Sequence, residues 1–378
     1  MDMSLTSQAR SKPVSRTSEA LMMISDEASQ VKRALSMLHS GGHGKKAKAA
    51  RGGGATTCPS PCNDADPYAV GADGMTKTAR VGVPGDAVPP PPQIGRLPNL
   101  NAKERAVEDK FIKDFEKDPD KMASNYRDIV TSSAEPGGPK VFGTDDAKAL
   151  TDAWQGDDIG LRSQNRATLN APLHATANAV AKRAFVQELD GLNKGDGILV
   201  TVGGVGAGKG YALGNVPEAK ALKNKSKVVW DSAGDQNATE NSWVQGEAAK
   251  RGLNVTYVYV HADPKVSWAD PGRGVVKRAG NPKDGRMVDA HVFGDSYAVG
   301  ARNHAAFAKK HANNSSANFV YLDSSSGPPK KVGAMPKEAL TYKAKDLTKF
   351  AIDTINKSDA PKHVKQGGTI GSRLWGES

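Results

Sequence analysis

The chain reads as an α/β protein of three layers, with a mostly parallel sheet between helices. Four apolar runs predict the sheet: GILVTV from Gly197, KVVWD from Lys227, NVTYVYVHAD from Asn254 and ANFVYLD from Ala317. Each is short, apolar and rich in β-branched residues, as a strand buried on both faces requires. Segments of helical period separate them, and strands alternating with helices call for a parallel sheet covered on both sides.

The elements follow in order. NAKERAVEDKFIKDFEK begins at an Asn suited to cap a helix, with Val107, Phe111, Ile112 and Phe115 on one face. Pro119 interrupts that helix, and AEPGGPK breaks the chain again. GTDDAKALTDAW reads as the next helix, capped by Thr144 or Asp145. APLHATANAVAKRAFVQELDGL is the longest, with Pro172 in its first turn and Gly191 at its end. Beyond the first strand, KGYALGNVPEAKAL, TENSWVQGEAAKRG and SYAVGARNHAAFAKKHA supply the helices between strands, and LTKFAIDTINK an edge helix.

Three regions follow from composition. Residues 1–98 hold SGGHGKKAKAARGGG and VPGDAVPPPPQIGRLP, tracts too poor in apolar surface to offset ordering entropy, so a disordered tail is expected. A modest helix from Ser18 to His39 is compatible with its spacing. Residues 99–360 are expected to form the folded domain with a helical N-terminal extension, and residues 361–378 a loose C-terminal tail.

The formal charge of +11 over 378 residues permits nucleic acid or anionic metabolites as partners. No basic–aromatic stripe of the kind that tracks a single strand is present, so nucleic acid is not the expected ligand. Cys58 and Cys62, the two cysteines, exclude a disulfide framework for the body of the protein. No apolar run reaches the roughly 18 residues of a membrane helix. No membrane association is expected, and a cytoplasmic location is the default.

VTVGGVGAGKGYALG is the stretch that carries chemistry. Gly203, four residues, then Gly208 and Lys209 match the first seven positions of the phosphate-binding loop G-x-x-x-x-G-K-[ST], known as the P-loop or Walker A motif. The loop follows a strand and precedes a helix, as the motif requires. Its glycines, Gly203, Gly204, Gly206, Gly208 and Gly210, let backbone N–H groups turn toward phosphate oxygens, and Lys209 reaches the outer phosphates. The eighth position departs: Gly210 replaces the hydroxyl that normally reaches magnesium, and Tyr211 follows. The expected fold is accordingly P-loop NTPase-like. A carboxylate must then do more, and Asp231, ending VVWD, is placed to bind Mg2+ or act as base, with Asp235 the second metal candidate. RGVVKRAGNPKDGRMVD contributes Arg273, Lys277, Arg278 and Arg286, cations suited to neutralise a transferring phosphoryl group.

From about 142 to 355 the chain resembles the zeta-toxin-like P-loop kinases. GTDDAKALTDAW, LHATANAVAKRAF, GGVGAGKG, AAKRGLNVTYVYVHADP and VVKRAGNPKDGRMV carry the resemblance. It implies transfer of a phosphoryl group from ATP or GTP, with Mg2+, to a hydroxyl of a nucleotide-linked metabolite. It also implies an Asp as base and arginines, matched here by Arg278 and Arg286, on the phosphates. An antitoxin is a partner of that family's kind, and a tail of this composition suits delivery as an effector or virion component. Members usually carry a long insertion with the base between the loop and the next strand. Only about twenty residues separate Lys209 from Asp231 here, so Asp231 stands in for that base on its own position. The rival expectation is a non-catalytic nucleotide-binding or interaction module that works through its basic tail.

Other signals are read as structural. Ser296 in GDSYAVG lacks the context of a hydrolase nucleophile. His291, His304 and His311 lack a completing carboxylate, and Trp230, Trp243 and Trp268 are expected in the core.

Overall fold

A computed structural model describes residues 94–375, apart from 235, 237 and 282–285. The expected disorder of the N-terminal tail, its helix at Ser18–His39 and both cysteines lie outside the described residues.

A six-stranded sheet has the order β1-β3-β2-β4-β5-β6, with β1 Lys140–Phe142, β2 Gly197–Gly203, β3 Val228–Asp231, β4 Asn254–His261, β5 Ala317–Asp323 and β6 Lys330–Val332. All neighbours are parallel except β5 and β6. The four expected strands are the four central ones. The two edges, β1 and β6, were not anticipated. At three residues each they carry too little pattern to be read from sequence.

Burial alternates along the strands as the pleat dictates. Ile198, Val200, Val202, Val228, Trp230, Tyr257 and Tyr259 enter one core, while Leu199, Val229, Val258, Val260 and Leu322 enter the other. The first core is covered by α1 Ala102–Lys117, α2 Pro119–Ser133, α6 Asn170–Leu189 and α9 Glu240–Lys250. The second is covered by α7 Lys209–Asn215, α8 Pro217–Lys225, α12 Ala290–Lys310 and α13 Ala344–Lys357. Trp230 and Trp268 are fully buried, and the partly buried Trp243 packs edge-to-face against Trp230 with ring centroids 5.2 Å apart, so the three belong to the core and its margin.

Helix boundaries obey local chemistry. Asn101 and Glu104 exchange bonds as a capping box at the start of α1. Asp118 caps α2, whose first residue is Pro119. GTDDAKALTDAW, expected as one helix, splits into α3 Thr144–Lys148 and α4 Asp152–Gln155, because Thr151 caps a new start. A further helix, α5 Ile159–Thr168, fills the stretch to which the sequence reading assigned no element. A short helix, α10 Pro264–Ala269, precedes the basic segment, and another, α11 Val275–Ala279, lies within it.

Both expected tail boundaries require correction. Ile94 and Leu97 are buried, so the folded part starts before residue 99. Residues after Pro361 form α14 Lys362–Gly368 and α15 Ile370–Trp375, with Val364, Ile370 and Leu374 buried. The Gly371 amide donates to Asp289 at 2.7 Å, and Arg373 pairs with Glu104 at 2.6 Å. A few apolar residues at helical spacing suffice when a buried carboxylate waits for the backbone. Among the described residues no helix is long and apolar enough to cross a membrane.

Candidate functional site

The chain runs from β2 to β3 on one side, then crosses to β4 on the other. Loops leaving the carboxyl ends of β2 and β4 therefore diverge and open a crevice, the usual ligand position in such sheets. A cleft of about 340 Å³ lies there, lined by Gly206, Gly208, Lys209 and Gly210 after β2, Asp263 after β4 and Ser324 and Gly327 after β5.

Gly203, Gly204, Gly206 and Gly208 are required by close approach or by backbone conformation, and Gly204 and Gly208 show the two reasons. At Gly204 a Cβ would lie 2.4 Å from the ring of Tyr297. Gly208 has φ 74°, the left-handed conformation that costs other residues energy, and it turns the loop into α7. Packing holds the loop from behind. The Val205 amide donates to Ser296 Oγ at 3.0 Å, and that hydroxyl donates to the Phe293 carbonyl at 2.8 Å. Tyr297 donates to Ser267 Oγ at 2.6 Å. Ser296 is thus a support of the loop and not a nucleophile.

Lys209 is buried, and its ammonium turns into the loop, donating to the Gly203 carbonyl at 3.3 Å. Arg278 and Arg273 line the same cleft. Of the residues singled out in the sequence, the structure brings Gly206, Gly208, Gly210, Lys209 and Arg278 together there. Gly203 and Gly204 form the neck of the loop at the end of β2.

Arg286 is the correction. It does not line the cleft; its guanidinium donates to Asp145, a buried carboxylate at the start of α3, through a very close contact. Asp145 also accepts from Lys148 at 3.1 Å; Lys148 is buried, donates to Asn170 and lies 5.2 Å from the ring of Trp154. Burial pushes the Asp145 carboxyl up, against the pull of Arg286, Arg166 and Lys209, and it pushes the Lys148 ammonium well down, with Arg286 acting the same way.

Asp231 ends β3 beside β2, and Thr201 Oγ1 donates to its Oδ1 at short range. It borders a separate cavity of about 30 Å³ with Thr201, Lys223 and Gly210. Gly210 faces both cavities, so Asp231 stands on the other side of the loop from the large cleft. Asp235 lies outside the described residues. His304 is buried against Tyr259, and burial pulls its imidazole down to about 3; His291 bonds Asp289 at 3.0 Å. Among the described residues no group of three metal-binding side chains occurs.

Sequence reading took Thr144 or Asp145 for a helix cap and passed over Asp146; the N-cap is Gly143, with no side-chain cap bond, and both acids are in the first turn of α3. Asp146 is half-buried, and burial together with Asp145 pushes its carboxyl up to about 6. The folded state therefore holds this proton more tightly than the unfolded chain, whose carboxyl titrates near the ordinary 3.8. The ionised group costs stability above the folded value, and the cost disappears as pH falls from about 6 toward 4. Asp146→Asn should stabilise the protein by about 1–3 kcal/mol at pH 7.5 and be neutral near pH 4, read by urea unfolding at both. An equal effect at the two pH values would contradict this.

Comparison with protein-family models and with curated proteins gives no match.

Proposed function

We propose that the chain is a P-loop NTPase-like, zeta-toxin-like phosphotransferase that moves the terminal phosphoryl group of ATP or GTP to a hydroxyl of a small nucleotide-linked metabolite. One observation carries the reading. A buried lysine in a glycine loop at the end of a central parallel strand shares its cleft with Arg273 and Arg278. Converging cations and loop amides suit a polyphosphate, and the cleft volume is within the range of small-molecule sites.

The chain's own residues would divide the work as follows. Lys209 and the loop amides hold the donor phosphates. Arg278 and Arg273 neutralise charge that develops on the transferring oxygens. The acceptor oxygen forms its bond to phosphorus as the bond to the donor's bridging oxygen breaks, and the acceptor's proton passes to a carboxylate. Asp231, at the end of the strand beside β2, is the carboxylate assigned to that proton, and its place across Gly210 from the donor cleft is the weak point of the assignment. Arg286, which donates to Asp145 and does not line the donor cleft, is not assigned to the clamp. The donor set fits magnesium only thinly: Asp231 supplies one carboxylate and Gly210 no hydroxyl. That is sufficient for an ion that keeps several waters and takes phosphate oxygens, and when bound it supplies charge neutralisation on the phosphates.

Saturating ATP or GTP, at about a hundred times its dissociation constant, should stabilise the protein by about 2.7 kcal/mol, read as a thermal shift. Lys209→Ala should abolish that shift. Labelled phosphate should also pass from ATP to a metabolite of a cell extract, and should fail to do so with Lys209→Ala. No shift with either nucleotide in the wild type would remove the proposal. The position of Asp231 outside the main cleft favours a second reading, a nucleotide-binding module without turnover. Binding with no labelled product, and Asp231→Asn indistinguishable from wild type, would select it.

A further inference from the structure

Two exposed apolar side chains mark the same cleft. Tyr211, in the first turn of α7, is 39% exposed, and Val266, in the first turn of α10, is 41% exposed. Both line the cleft that Lys209, Arg273 and Arg278 line, and Pro329 joins them. The other two large apolar side chains this exposed among the described residues, Ile159 and Leu340, do not line it. Apolar surface left in water beside a polar site is unfavourable unless a ligand covers it. Tyr211 stands two residues after Lys209 in the same helix, and both line the cleft, the lysine from its buried side and the ring from its exposed side. Its carbonyl is occupied by Asn215 at 2.8 Å, while no acceptor for its hydroxyl occurs among the described residues. The ring is therefore not placed there by a hydrogen bond of its own.

We infer that Tyr211 and Val266 form the apolar contact for the planar base of the donor nucleotide, with purines favoured. This rests on the nucleotide-binding reading above. An aromatic face stacks on any base, and more strongly on the larger purine ring, so the contact adds affinity without choosing between ATP and GTP. The loop has lost the hydroxyl that would stand at Gly210 and carries a base contact at the next residue, Tyr211. Cations then select the phosphates, and the ring selects the nucleoside.

Titration calorimetry on the full chain tests this with ATP, GTP, CTP and inorganic triphosphate as probes. Wild type should bind ATP and GTP more tightly than CTP, and CTP more tightly than triphosphate. Tyr211→Ala should weaken ATP and GTP about tenfold and leave triphosphate affinity unaltered, and Tyr211→Phe should restore the purine affinity. If wild type binds triphosphate and ATP equally, or if Tyr211→Ala weakens both alike or neither, the base contact is overturned while the phosphate site stands. If wild type binds none of the probes, the nucleotide reading falls and the base contact falls with it.

Discussion

Asp145→Ala is expected to cost about 3 kcal/mol of folding stability, measured by urea unfolding at neutral pH. Asp145 is buried and accepts from two cations, Arg286 and Lys148. The alanine leaves both without their carboxylate in a poorly solvated place. Their responses differ. Burial already pushes the Lys148 ammonium well down, and losing a neighbouring carboxylate acts in the same direction, toward the neutral amine. A guanidinium keeps its charge at any pH a folded protein tolerates, and Arg286 carries the unrelieved desolvation. The loss therefore falls at the lower end of the range for breaking a buried pair, about 3–5 kcal/mol. Asp145→Asn keeps an acceptor for Arg286 and should lose less. Asp145→Ala with Arg286→Met should recover much of the stability, since neither member then needs the other. A double variant as unstable as the single one would show that the pair is not what holds this corner.

Gly204→Ala is expected to destabilise the fold by about 1–3 kcal/mol and to reduce nucleotide-dependent turnover on the order of a hundredfold. The new methyl would meet ring atoms of Tyr297 at 2.4–2.5 Å. That ring cannot withdraw: it is 1% exposed, packs 5.2 Å from Phe293 and donates its hydroxyl to Ser267. The loop must move instead. Val205, the next residue, is pinned to Ser296 on the same helix as Tyr297, so the displacement breaks the support of the whole turn. Gly214→Ala is the control. Nothing lies within 4 Å of a Cβ there, the position is helical, and alanine should stabilise by about 0.5–1 kcal/mol with unaltered nucleotide response. Equal behaviour of the two variants would remove the argument from close approach.

Much of the sheet was legible because a strand buried on both faces writes itself as a continuous apolar run. GILVTV, KVVWD, NVTYVYVHAD and ANFVYLD each show this, and the helix from Asn170 to Leu189 shows its length and first-turn proline. The edge strands were not legible: KVF and KKV are each three residues long, too short to carry a pattern, and KVF takes its partner from a strand far away in the chain, with Phe142 opposite Trp230. The C-terminal helices were misread for a related reason. Val364, Ile370 and Leu374 are few, and the buried Asp289 that receives the Gly371 amide lies 82 positions earlier.

Within the site, local order in the sequence determined the glycine loop, its lysine and the strand in front of it, since neighbours along the chain set all three. Only the tertiary structure separated the arginines. Arg278 and Arg286 belong to one basic segment and look alike there, yet one lines the cleft and the other is drawn to Asp145, 141 residues away in the chain. The same holds for Asp231, which folding sets beside Thr201 and across Gly210 from the cleft. A charge settles where the nearest opposite charge or polar partner stands in space, and that distance is a property of the packed layers, not of spacing along the chain.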